Sequence, residues 1–290
     1  MVTSSNMRCW NKPGRSIWKI GIFSIVIIFL LTVFFIAFQP SHDRDWELGQ
    51  EQLPRFVFHE NILTIENFRN FDWQSETDAV SYYEKRTFNL VDITSVDVFI
   101  SHFDDFEGLA HIFLSFGFSD GRHIVVSLET RREKGEKFSP IFGVLRQFEI
   151  IYVVGSEKDI VGLRTDIRDE RVSLYRTIAS PEKSRDLLLK IADDVNGIYT
   201  QPRMYNTLTN NCTNALTRRV EDISDVKFPL TWKTVLPGYF DEVLYEMRLI
   251  PQYGDFAETK RHGLINNAFV NRHSPEYEYE LRNAGISVDR

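Results

Sequence analysis

The order of apolar patterns along this 290-residue chain predicts an α+β fold. Three observations carry it. β-rich runs cluster between residues 96 and 176. The apolar period then changes from two to about 3.6 after residue 180. Strands therefore come first and helices last, an order that argues against a doubly wound parallel sheet. The expected architecture is an antiparallel sheet with packed helices, preceded by one N-terminal transmembrane helix.

Each element follows in turn. Residues 20–38, IGIFSIVIIFLLTVFFIAF, carry no charge. At 1.5 Å per residue they cover roughly 28 Å, close to a bilayer core. A cleaved signal peptide has a shorter apolar region and a small-residue cleavage site, and Phe38-Gln39-Pro40 is a poor one. Arg8, Lys12, Arg15 and Lys19 precede the run; Asp43, Asp45 and Glu47 follow it against Arg44. The positive-inside rule then places 1–19 in the cytoplasm and the bulk of the chain outside, as a single-pass protein. Residues 39–60 are polar and read as a linker. Residues 62–93 mix short apolar stretches with turn residues. Residues 96–102 alternate enough for a strand. Residues 111–118 (HIFLSFGF) and 123–129 (HIVVSLE) flank Ser119-Asp120-Gly121-Arg122, so the three together predict an antiparallel hairpin. Residues 130–137 are charged and read as a loop; 147–154 and 172–176 are further strands. Ser180-Pro181-Glu182 is a helix start, and Leu187, Leu188, Ile191, Ala192 and Val195 form its apolar face. A second helix opens at Cys212 and a last one covers 238–250. Residues 251–290 are polar and read as a C-terminal extension, leaving 61–250 as the main domain.

The apolar fraction is 43%, with 23 Phe and 11 Tyr, enough for a sizeable core. Net charge is −7 and there is no basic stripe, so a nucleic-acid partner is disfavoured. Of the two cysteines, Cys9 and Cys212, only Cys212 lies beyond the apolar run. A lone thiol in an exported domain is either a reactive group or a small buried hydrophobe.

Cys212 follows Thr209-Asn210-Asn211 and opens a helix, a setting that lowers a thiol pKa. Asn210 and Asn211 either cap that helix or stabilise an oxyanion, and a cap exposes the same backbone amides. Tyr205, at the head of the same segment, joins them as a positioning candidate. A thiolate nucleophile needs a base. Of seven histidines, His102, His111 and His123 lie in or beside the strand-rich region, and His111 and His123 each begin a hairpin strand. Glu129, at the end of the second hairpin strand, is a candidate to orient the imidazole; its neighbours Arg131, Arg132, Glu133 and Lys134 equally suit a solvated ion-pair face. There is no C-x-x-C, H-E-x-x-H, acidic calcium loop, Gly-rich phosphate loop or G-x-S-x-G, so the expected metals and cofactors are none.

Four phrases in order, 111–118 (HIFLSFGF), 129–135 (ETRREKG), 152–159 (YVVGSEKD) and 205–213 (YNTLTNNCT), resemble the DUF4105 family, also called the Lnb N-terminal periplasmic domain. The resemblance covers roughly residues 90 to 245. It implies a bacterial envelope protein, here with the main domain in the periplasm and the anchor in the inner membrane. Some members are associated with N-acylation of lipoproteins. The His-before-Cys order also looks like circularly permuted papain-like folds of the NlpC/P60 and lecithin:retinol acyltransferase kind. By that resemblance Cys212 is the nucleophile and His111 the base, with His123 or Glu129 as the third group. It implies acyl transfer or acyl hydrolysis, with membrane lipid or lipoprotein as partner. A cysteine peptidase or amidase acting on peptidoglycan or protein would use the same residues, and a non-catalytic envelope module would bury Cys212 as packing.

Overall fold

The structure is a computed structural model describing residues 14–37, 39–266 and 270–284. Its contacts divide the chain into two units, Met1–Pro40 and Ser41–Arg290.

In the first unit, helix α1 spans Gly14–Ala37. Among the described residues no helix is long and apolar enough to cross a membrane. This overturns the transmembrane anchor expected at 20–38. Phe38, Cys9 and residues 1–13 of the expected cytoplasmic segment 1–19 lie outside the described residues.

The second unit is built on a sheet of eight strands: β1 Arg55–His59, β2 Ile62–Arg69, β5 Tyr83–Asn89, β6 Ile93–His102, β7 Ala110–Phe118, β8 His123–Arg131, β9 Glu149–Gly155 and β10 Arg171–Arg176. Their order is β1-β2-β9-β8-β7-β6-β10, with β5 also paired to β2. A separate ribbon joins β3 Asp72–Ser75 to β4 Asp78–Val80. The sheet is mixed rather than antiparallel as expected, because β2 meets β9 in parallel at Arg69↔Gly155. A Cβ at Gly155 would lie 2.4 Å from the Arg69 carbonyl, so that approach requires glycine.

The helices are α2 Pro140–Val144, α3 Glu157–Gly162, α4 Pro181–Thr200, α5 Cys212–Ile223, α6 Trp232–Val235, α7 Phe240–Glu246, α8 Phe256–Gly263 and α9 Tyr277–Asn283. The start expected at Ser180-Pro181 is α4: the Ser180 hydroxyl accepts from the Lys183 amide, and Pro181 opens the first turn.

Strand alternation sends side chains to two cores. On one face Ile112, Leu114, Leu128 and Tyr152 pack with Leu188 and Val195 of α4 and with Cys212 and Leu216 of α5. On the other, Phe99, Phe113, Val125 and Ile151 pack with Ile160 and Val161 of α3 and with Tyr277 and Leu281 of α9. Residues beyond 250 thus cover part of the sheet. Arg282 anchors them, reaching Asp97 at 2.9 Å and Glu157 at 2.6 Å.

Candidate functional site

The hairpin leaves an opening in the sheet. β7 and β8 pair from Gly117↔His123 to Leu114↔Val126. Beyond that register no pairing joins them, while β6–β7 pairing continues to His102↔Ala110 and β8–β9 pairing to Arg131↔Glu149. The N-terminus of α5 approaches here, and a cavity of about 480 Å³ lies at the opening. Cys212, His111, Glu129, Tyr205 and Asn211 all line it.

Cys212 is the first residue of α5 and is buried. Burial pushes its thiol above the ordinary value, against the Ile112 backbone amide and the first amides of α5, which favour thiolate. Asn211 is the N-cap: its Oδ1 accepts from the Asn214 amide at 2.8 Å, and its Nδ2 donates to the Thr207 carbonyl at 2.6 Å. Its side-chain amide therefore holds the loop and the helix start together. The Tyr205 phenol lines the same cavity as Cys212, and burial, with the nearby thiol, raises its pKa above the ordinary value. Asn210 turns away, accepting from Arg218 at 3.2 Å in a different cavity.

His111 stands on the sheet face opposite the side chains around Cys212, stacked on Phe113 with ring centres 5.7 Å apart. The guanidinium of Arg164 covers the same Phe113 ring at 4.8 Å. His111 Nε2 lies 2.7 Å from Ser127 Oγ, which donates to Glu129 Oε1 at 2.9 Å. Glu129 also receives Arg164 at 2.9 Å and is 3.9 Å from His111 Nε2. Burial pushes the Glu129 carboxyl up, but Arg164, with His111 and Arg69, holds it below the ordinary carboxylate range. Because Glu129 is ionised, Ser127 spends its proton on it, and the Ser127 oxygen must accept from His111 Nε2–H. That selects the tautomer whose Nδ1 carries the lone pair. Burial, reinforced by Arg164, lowers His111 to about 3, so the ring is neutral near pH 7.

No hydrogen bond among the described residues joins the Cys212 sulfur to His111. The two meet across one opening, each neutral, and not as a resting ion pair.

His123 stands apart. It begins β8 beside Gly117, six residues from Glu129, roughly 20 Å along the strand. It contacts the Gly121 carbonyl at 3.0 Å and Glu278 at 3.2 Å. With Glu157 and Glu278 it forms a trio whose potential ligand atoms lie within 4.8 Å of one another. Glu157 already accepts Ser115 at 2.5 Å and Arg282 at 2.6 and 2.8 Å, so a cation there would have to displace a guanidinium.

Sequence reasoning missed Ser127 and Arg164. Ser127 is two residues before Glu129 and so shares its face, a signal present in the strand period. Arg164 reaches the site by a tertiary turn beyond α3. It is joined to Glu170, which accepts from Ser101 at 2.5 Å, so the network continues under β6.

A family model described as the Lnb N-terminal periplasmic domain matches residues 79–238. The match supports a periplasmic location for this domain, while the membrane-anchor part of the expected localisation falls with α1. Neither a curated protein nor a solved structure matches the chain.

Proposed function

The chain belongs to the Lnb N-terminal periplasmic domain family, and from that premise we propose that its periplasmic domain is a thiol enzyme of acyl transfer or acyl hydrolysis. The observation that supports this reading is one cavity lined by both Cys212, at the start of α5, and His111. The tautomer of His111 leaves Nδ1 able to take a proton.

In the proposed step the Cys212 sulfur attacks an acyl carbonyl. The S–H proton passes to His111 Nδ1 as the S–C bond forms, and the leaving group departs with that proton. Because burial disfavours both charged partners, the transfer accompanies attack and does not precede it. Developing negative charge on the carbonyl oxygen is met by the first amides of α5 and by the Tyr205 hydroxyl. Ser127 relays Glu129 to the imidazole and stabilises the imidazolium. Water or an amine then resolves the thioester. Phe103, Leu109, Leu128, Phe138, Val235 and Leu236 give the cavity an apolar wall suited to an acyl chain.

The test is intact-mass analysis of the full chain, in detergent, after incubation with phospholipid or with peptidoglycan fragments. An acyl adduct with lipid, absent from Cys212→Ala, is the expected result. An adduct with peptidoglycan alone would replace acyl transfer with peptidase or amidase chemistry. No adduct, together with full biological activity of Cys212→Ala and His111→Ala, would leave a non-catalytic envelope module.

A further inference from the structure

A second cavity, of about 330 Å³, lies behind the first between β9, the end of α4 and α5. Leu128 lines both. The apolar wall of the second is slight: Leu128, Ile150, Ile198 and Ala215. The remainder is Tyr152, Thr209 and Asn210 with three arginines, Arg203, Arg218 and Arg219, against one acid, Asp194.

The three guanidiniums are not equally committed. Arg219 is held by Asp194 with two contacts of 2.6 Å and by Asp222 at 2.6 Å. Among the described residues Arg218 donates only to neutral oxygens, the Asn214 carbonyl at 3.0 Å and Asn210 Oδ1 at 3.2 Å. Arg203 lies over Gly197, where a Cβ would meet its Nη2 at 3.4 Å, and its guanidinium forms no hydrogen bond or ion pair with any described residue. Asp194 is thus neutralised by Arg219, and two exposed cations, Arg203 and Arg218, stand at the cavity without an acidic partner among the described residues. The buried Tyr152 phenol lines the same cavity, close to Asp194 as well as to the three guanidiniums. Planar guanidiniums of this kind suit the paired oxygens of a phosphate, and a neutral phenol, hydroxyl and amide supply further hydrogen bonds.

We propose that this cavity is a binding site for a phosphate group, with Arg203 and Arg218 as its primary ligands. It does not rest on the thiol reading: a phosphate there binds whether or not Cys212 forms a thioester. Two sources share the chemistry, free phosphate and the headgroup of an anionic phospholipid.

The experiment is calorimetric titration of the full chain in detergent with inorganic phosphate and with a short-chain phosphatidylglycerol below its micelle concentration. Saturable one-site binding of either is expected, at least tenfold weaker in Arg203→Gln/Arg218→Gln. Binding of phosphate alone assigns the site to free phosphate; binding of the lipid alone assigns it to a headgroup. On the wild-type chain, phenylglyoxal modification of Arg203 and Arg218, read by peptide mass, should slow in the presence of the bound anion. That second measurement stands even if the double variant folds poorly. No saturable binding of either probe, or binding with neither loss in the variant nor protection of these arginines, overturns the proposal.

Discussion

The two sides of the sheet opening are built differently. On the face of α3 and α9, His111, Ser127, Glu129 and Arg164 form a chain of polar contacts between 2.7 and 2.9 Å, each group oriented by the next. On the face of α4 and α5, Cys212 sits among Ile112, Leu114, Leu128 and Leu216, and its polar contacts are backbone amides and the Thr213 hydroxyl. One half is fixed electrostatically before anything binds; the other is an insulated thiol. On the proposed reading, a substrate carbonyl entering the cavity would complete the path between the two halves.

The largest effect should come from removing the insulated half. Cys212→Ala should lower turnover of an ester probe by roughly a thousandfold or more, since no other thiol among the described residues lines the cavity. His111→Ala should cost about 10² to 10⁴-fold, the usual worth of a positioned base. If the His111 variant kept wild-type turnover while Cys212→Ala lost it, the two faces would be uncoupled and the base would have to be sought elsewhere.

The polar half also carries a pH signature. His111 is lowered to about 3 in the folded chain against an ordinary 6.5, so folding favours its neutral form. A depressed pKa gives stability that is full above 6.5 and is lost as pH falls toward 3. The loss is at most about 1.4 kcal/mol per pH unit, or roughly 2 kcal/mol by pH 5. Glu129 acts with the same sign, but only from its ordinary 4.5 downward. Burial lowers His42 and His102 as well, so both add to the loss with the same sign, and the imidazole is read by difference: in chemical denaturation between pH 6.5 and 5 wild type should lose more stability than His111→Gln. Parallel curves would mean that the ring is hydrated and the insulation absent.

Ser127 tests whether the relay matters. Ser127→Ala leaves His111 Nε2–H and the Glu129 carboxylate without the group between them, at a separation of 3.9 Å. A loss of about tenfold in kcat, near 1.4 kcal/mol, is expected, with much of it recovered by Ser127→Thr. An unchanged kcat would make the relay a packing feature of the polar face.

How far this site was legible in the chain depended on the range of the forces that build it. The hairpin and α4 are local: alternation with Asp120-Gly121, and the Ser180-Pro181 start, specify them before any tertiary contact forms. The Asn211 cap and Cys212 at the first turn of α5 are equally local. The parallel contact of β2 with β9 and the covering of one face by residues beyond 250 are long-range, and no local pattern announces them. The histidines show the same division. His111 and His123 each begin a hairpin strand, so by sequence they looked like partners. In an antiparallel pair, however, the starts of the two strands lie at opposite ends, and pairing carries His123 away to Glu278. Ser127 was within reach of the period-two rule from Glu129, whereas Arg164, 35 residues on from Glu129, was not.

The smallest predicted effect separates the two asparagines before Cys212. Asn211 Oδ1 takes an otherwise unpaired amide of α5, and its Nδ2 ties that helix to the loop at Thr207. Asn211→Ala should therefore cost about 1 kcal/mol of stability, the usual value of an N-cap. It should also loosen the helix start that presents the thiol, so alkylation of Cys212 by iodoacetamide should speed up at fixed pH. Asn210 makes a half-exposed contact with Arg218 on the far side, and Asn210→Ala should change stability by less than about 0.5 kcal/mol and leave alkylation as it was. Asn211→Asp sharpens the point. It keeps the capping acceptor and gains from the helix dipole, yet it sets a negative charge beside the sulfur, which raises the thiol further. Stability should hold while alkylation slows. If Asn211→Ala and Asn211→Asp moved the thiol the same way, the amides of α5 would not be what tunes it, and the insulated half of the site would rest on burial alone.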